Sequence, residues 1–112
     1  DNPYYRQRLA QMQAEVRIFR YLGLKTVSQL LNEGKLGPEA SLQKLYWSTM
    51  HGRMLRLGME ILGPDGLYWG EESESRGMIQ KSFLTSLAET IYAGTSQIQK
   101  NIIAEMVLGM PK

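Results

Sequence analysis

The chain has 112 residues, 43% of them hydrophobic and 21% charged, and a formal net charge of +2 from 13 basic and 11 acidic side chains. That suits one small domain with a modest core, and the weak, mixed charge excludes the clustered basic face of a nucleic-acid binder. Without cysteine there is no disulfide and no thiolate metal site, and no apolar run approaches the ~20 residues of a membrane span.

In chain order, Asn2-Pro3 reads as a helix cap followed by proline at the first helical position. Leu9, Met12, Val16, Phe19, Gly23, Val27 and Leu30 then recur at steps of three and four, predicting a long helix from Pro3 to Asn32 that stops at Gly34. Gly37-Pro38-Glu39 opens a second long helix, with Trp47, Met50, Met54, Leu57 and Ile61 on one stripe and Leu42, Leu45 and Tyr46 in another direction. Two apolar directions predict a helix covered on more than one side, by partner helices or by another subunit. It ends at Gly63-Pro64-Asp65-Gly66, a run of turn formers.

Leu67 to Ser75 reads as a polar loop carrying exposed Tyr68 and Trp69. A third helix is predicted from Glu74 to Tyr92 on the stripe Ile79, Phe83, Leu87 and Ile91, and a fourth from Ser96 to Leu108 on Ile98, Ile102 and Met106. No segment alternates like a strand. The short connections predict an all-α, antiparallel up-down four-helix bundle with two long and two shorter helices.

Candidate chemistry is sparse. Gly94-Thr95-Ser96-Gln97 reads either as a tight corner, with Ser96 and Gln99 forming a capping box, or as an anion site of free N–H groups and hydroxyls at a helix start. Gly63-Pro64-Asp65-Gly66 reads as a helix stop or as a close backbone approach to a ligand. His51 is the only histidine, and residue 48 is Ser, so the Glu-x-x-His pair of a bundle metal site is absent and no metal site is expected. The methionines read as core filling.

At these two glycine-containing turns the chain resembles the acyl-CoA dehydrogenase family. The tail TIYAGTSQIQKNIIAEMVLGMPK is similar to that family's C-terminal end, and Glu60-Ile61-Leu62-Gly63-Pro64-Asp65-Gly66 is similar to its QILGGNG-like turn. The likeness covers residues 1–112 and implies the C-terminal helical domain of a three-domain flavoprotein. Such an enzyme oxidises an acyl-CoA to the trans-2-enoyl-CoA, using FAD and passing electrons to an electron-transfer flavoprotein. The resemblance implies FAD contacts at Thr95, Ser96 and Gln97, the acyl thioester close to Gly94, and an approach of Glu60, Ile61, Leu62, Gly63 and Pro64 to the FAD of a neighbouring subunit. It also implies a homo- or hetero-oligomer. Without the other domains, the 112-residue piece is expected to be inactive and to hold FAD weakly or not at all.

Three departures matter. Glu60 stands where Gln is usual, and a carboxylate there can accept a ribose hydroxyl but repels phosphate. Pro64 replaces a common Gly. Ala93 stands where many members carry the catalytic Glu, and a methyl group cannot take a proton, so no catalytic residue is assigned in this chain. Three readings stay open: a base from a helix N-terminal to this piece, a non-catalytic subunit of a heteromeric enzyme, or Glu89 as substitute. Glu89 lies about 6 Å away along a helix axis, beyond the roughly 3 Å reach of a general base, and otherwise reads as a solvated helix charge. A flavoprotein with a different reaction, such as an oxidase, and a helical interaction module without cofactor are the alternatives. No targeting segment is visible, which fits a bacterial-type cytoplasm or a mitochondrial matrix. The chain starts at Asp1 without an initiator methionine, so it is expected to be a processed product or a piece of something longer.

Overall fold

The computed structural model describes residues 2–72 and 75–111. Four α-helices account for most of them: α1 (Pro3–Glu33), α2 (Glu39–Leu62), α3 (Met78–Glu89) and α4 (Ser96–Ile102). There is no strand among the described residues.

The punctuation acts as its chemistry dictates. Asn2 accepts the Tyr4 N–H through its side chain at 3.0 Å, satisfying an orphan donor at the start of α1. Gly34 takes the left-handed conformation (φ +70°) and closes α1 by donating to the Leu30 carbonyl. Gly63, also at positive φ, ends α2 and leads into a 3₁₀ turn over Gly63–Leu67.

The two later helices are shorter than their sequence patterns. The predicted start of the third helix, Glu74, lies outside the described residues. Arg76 (φ +50°) and Gly77 (φ +72°) are both left-handed, so the α-helix cannot begin before Met78. At its far end Ile91 and Tyr92 both donate to the Ala88 carbonyl, and Ala93 (φ +56°) and Gly94 (φ +91°) turn the chain away. α4 keeps α-geometry only to Ile102 and continues as a π-turn over Ile103–Val107.

α2 is the hub, with α1, α3 and α4 all packed on it, as its two apolar directions predict. Tyr5 and Arg8 meet Glu60, and Glu15 meets Arg53, so α1 and α2 run antiparallel. Gly58 meets Ile79 and His51 meets Glu89, so α2 and α3 do as well. α2 and α3 come close because Ser48 and Ser86 are small and fully buried, their hydroxyls returned to carbonyls of their own helices. An aromatic ladder runs from Phe19 on α1 through Trp47 to His51 on α2, with centroids 5.2 and 4.3 Å apart.

The core is thin for this length. The buried apolar side chains are Met50, Leu55 and Leu57, all on α2, and no residue of α1 is buried. Of the predicted α1 stripe, Met12, Phe19 and Gly23 are partly covered, as are Tyr5, Arg8 and Glu15 beside them, while Leu9, Val16, Val27 and Leu30 lie half-exposed. Leu87, Ile91 and Ile98 likewise face outward. The radius of gyration is 17.1 Å in a body of 49 × 26 × 26 Å, against ~13 Å for a compact domain of this length.

Candidate functional site

The corner between α3 and α4 is held by side chains from two helices. Lys44, half-buried on α2, donates to the Glu89 carbonyl at 2.9 Å and to the Gly94 carbonyl at 2.8 Å. Buried Gln99 of α4 reaches back to the Ala93 carbonyl at 3.1 Å, and the Ser96 N–H donates to the Thr90 carbonyl. The corner is therefore tied to α2 and to α4 at once. Gly94 is required here twice over: its φ is +91°, and a Cβ would fall 2.5 Å from the Gln99 amide nitrogen.

The cap of α4 is Thr95, not Ser96. Its hydroxyl accepts the Ile98 N–H at 3.2 Å, and Gln99 is turned into the corner rather than closing a capping box on Ser96. The reason is register: the corner's fixed carbonyls claim Gln99 first. The Ser96 hydroxyl is thereby left without a partner among the described residues, and Gln97 is exposed beside it. The Thr95 hydroxyl uses a lone pair for its cap and keeps its O–H to donate.

Glu89 is not a solvated charge. It is buried, and its carboxylate lies 2.8 Å from Nδ1 of His51, whose ring stacks on Trp47. The antiparallel pairing of α2 and α3 turns it inward. A carboxylate enclosed by this contact faces α2 rather than the open side of the corner, whereas Ala93 is exposed there.

The second motif sits at the other end of α2. Glu60 is held by Arg8 of α1, and the Tyr5 hydroxyl donates to the Glu60 carbonyl. Hydrogen bonding to Glu60 raises the Arg8 guanidinium above its ordinary value. Ile61 is half-exposed, Leu62 is partly covered, and Gly63 and Pro64 are exposed. Nearby, an open apolar groove of about 390 Å³ runs between α1, α2 and α3, lined by Met12, Met54, Leu57 and Ile79. From Lys44 to Leu62 the helical rise is roughly 27 Å, so the structure does not bring the two motifs together. The loop beyond them exposes Tyr68 and Trp69, as expected, and is stapled by buried Gln80, which donates to the Tyr68 carbonyl at 2.9 Å.

Sequence reasoning placed Gln99 in the corner with the wrong partner, Ser96 rather than the Ala93 carbonyl, and passed over Lys44 and the His51–Glu89 pair. Each depends on contacts beyond its own helical turn. The one local signal was a lysine set among the apolar residues Leu42, Leu45 and Tyr46.

Comparison with known proteins defines the class. Residues 1–108 match the family model described as acyl-CoA dehydrogenase, C-terminal domain, and the chain belongs to that family. It is 34% identical over 114 residues to the acyl-CoA dehydrogenase IpdE1 of Mycobacterium tuberculosis and, equally, to that of Mycolicibacterium smegmatis. The match covers all of this chain but 28% and 27% of those proteins. Among solved structures, the Tcur3481-Tcur3483 steroid ACAD superposes with a TM-score of 0.91 at 25% identity, over all of this chain and 30% of that one. The ChsE4-ChsE5 complex of M. tuberculosis has the same fold, with a TM-score of 0.88 at 24% identity, over all of this chain and 29% of that one. The chain thus spans less than a third of the length of these relatives. No helix among the described residues is long and apolar enough to cross a membrane.

Proposed function

We propose that this chain is the FAD-site and oligomerisation domain of an FAD-dependent acyl-CoA dehydrogenase that forms trans-2-enoyl-CoA. The observation that carries the reading is the pinned α3–α4 corner. The half-buried Thr95 and Ser96 hydroxyls and the exposed Gln97 side chain follow one another there as candidate donors. That donor set fits a flavin dinucleotide, whose ring carbonyls, ribityl hydroxyls and phosphates are acceptor-rich. When bound, FAD supplies the acceptor for the hydride leaving the acyl β-carbon. The chain's own part is to place Thr95, Ser96 and Gln97 against FAD and to leave room at Gly94 for the thioester.

The distance between the motifs supports separate duties. The corner would serve one FAD, and the Glu60–Pro64 turn, roughly 27 Å away along α2, the FAD of a neighbouring subunit. Arg8 answers the problem posed by Glu60, because its guanidinium offsets the carboxylate charge that would otherwise repel phosphate. The apolar faces left on α1, α3 and α4 suit cover by the rest of the parent protein or by a partner subunit.

The proton must go to a group this chain does not offer. Ala93 has none, and the buried Glu89 is engaged by His51. The base therefore comes from a preceding segment of the parent protein or from a partner. The second arrangement, a non-catalytic subunit of a heteromeric dehydrogenase, is favoured by Ala93 and by likeness to the ChsE4-ChsE5 and Tcur3481-Tcur3483 assemblies. An electron-transfer flavoprotein would take the electrons. A bacterial cytoplasmic setting accords with the mycobacterial relatives, which lend nothing to a mitochondrial one.

The test is FAD content. In the full-length parent, Thr95→Val with Ser96→Ala should purify with the fold intact and FAD largely lost. Full FAD occupancy in that double variant would remove the corner from the site.

A further inference from the structure

We propose that Lys44 is a positioning residue for the flavin-facing corner, fixing the Gly94–Thr95 peptide by bridging the carbonyls of Glu89 and Gly94. The inference rests on the reading of the corner as an FAD contact.

One ammonium group reaches both ends of the turn, at 2.9 Å and 2.8 Å, from a different helix. Glu89 O belongs to the last turn of α3, where carbonyls lack partners within the helix and a cation is favoured by the helix dipole. Gly94 O lies beyond the two left-handed residues that reverse the chain. Lys44 therefore ties both ends of the turn to α2, beside the local bond from the Ser96 N–H to the Thr90 carbonyl. There is a directional consequence. In a trans peptide the C=O and N–H point in opposite directions, and none of the described peptides is cis. With the Gly94 carbonyl drawn toward Lys44 of α2, the Thr95 N–H is turned away from it.

An ammonium has three N–H donors and a charge, a guanidinium can span the same two acceptors with a charge, an amide has two donors on a shorter, uncharged arm, and a thioether has none. That ranking makes the proposal testable in the full-length parent protein with Lys44→Arg, Lys44→Gln and Lys44→Met. FAD affinity, the thermal midpoint and amide exchange of residues 90–96 in the FAD-free protein are measured for each. FAD affinity should fall in the order Arg, Gln, Met, with the Met variant about tenfold weaker than wild type or more, as expected for loss of charged hydrogen bonds. Exchange at 90–96 should quicken in the same order. A control, Met50→Ala in the α2 core, should lower the midpoint without that loss of FAD.

Two results would overturn the proposal: a Met variant binding FAD within about twofold of wild type, or FAD loss that follows the thermal midpoint alone across the series and the control. If the Met variant does not fold, the Gln variant is judged by the same comparison. A wild-type parent that binds no FAD defeats the functional reading instead, and the exchange data then still decide whether Lys44 holds the corner.

Discussion

Ala93 sits at φ +56°, a conformation that disfavours any residue with a Cβ, and it is held there by Gln99 on its own carbonyl and by Lys44 on the next. Left-handed geometry costs an L-residue about 1–2 kcal/mol. Ala93→Gly should therefore be neutral or stabilising by up to about 1 kcal/mol in urea unfolding; a clear loss of stability would show that the methyl group packs against something in the parent. Its neighbour behaves oppositely. Gly94→Ala places a Cβ against the Gln99 amide, and should destabilise by about 2 kcal/mol or more, with FAD lost alongside. Glu89 follows the logic of buried pairs. Glu89→Ala abandons the His51 nitrogen in the α2–α3 interface and should cost about 3 kcal/mol, whereas Glu89→Gln, which keeps a hydrogen bond, should cost about 1 kcal/mol. Equal losses from the two would mean the pair contributes through packing alone.

Among the elements, α1 and α2 were legible from sequence because their ends are set locally: Asn2, Gly34 and Gly63 need nothing beyond their own turns. α3 was legible as a helix but not in its ends, where Arg76 and Gly77 on one side and Ala93 and Gly94 on the other are left-handed. Gly77 is buried, and a Cβ there would lie 3.0 Å from the Gly70 nitrogen. The corner was legible as a break at Gly94 but not as a clamp, since Lys44 reaches Gly94 across 50 positions of sequence and His51 reaches Glu89 across 38. The Arg8–Glu60 bridge between α1 and α2 gives an element-scale prediction. The pair is partly exposed, so Arg8→Ala should change stability little. It should nevertheless weaken FAD binding in the assembled parent by leaving the Glu60 charge bare, and Glu60→Gln in the same protein should restore the affinity. FAD titration of the single and double variants checks this, and a second substitution that rescues nothing would detach the turn from the dinucleotide.

At the scale of the whole molecule, a chain with three buried apolar side chains and an elongated 49 Å body is built to be covered. α1 alone exposes Leu24, Val27 and Leu31 along one side. The 112-residue piece on its own should self-associate in sedimentation at high concentration and should not purify with stoichiometric FAD. A strictly monomeric, well-folded piece would mean that these faces need no cover. The membership of the acyl-CoA dehydrogenase family is legible in two short turns, while in the proposed function the acyl-group pocket, the base and the partner lie beyond this chain. The most direct measurement is therefore made on the full-length parent with its natural partner, kept free of oxygen and mixed with acyl-CoAs of several types while the flavin absorption band is followed. Bleaching of the band by an acyl-CoA, with the trans-2-enoyl-CoA as product and Ala93 left unchanged, is the result predicted. A protein that holds no flavin, or whose flavin stays oxidised with every acyl-CoA even with the partner present, would contradict it.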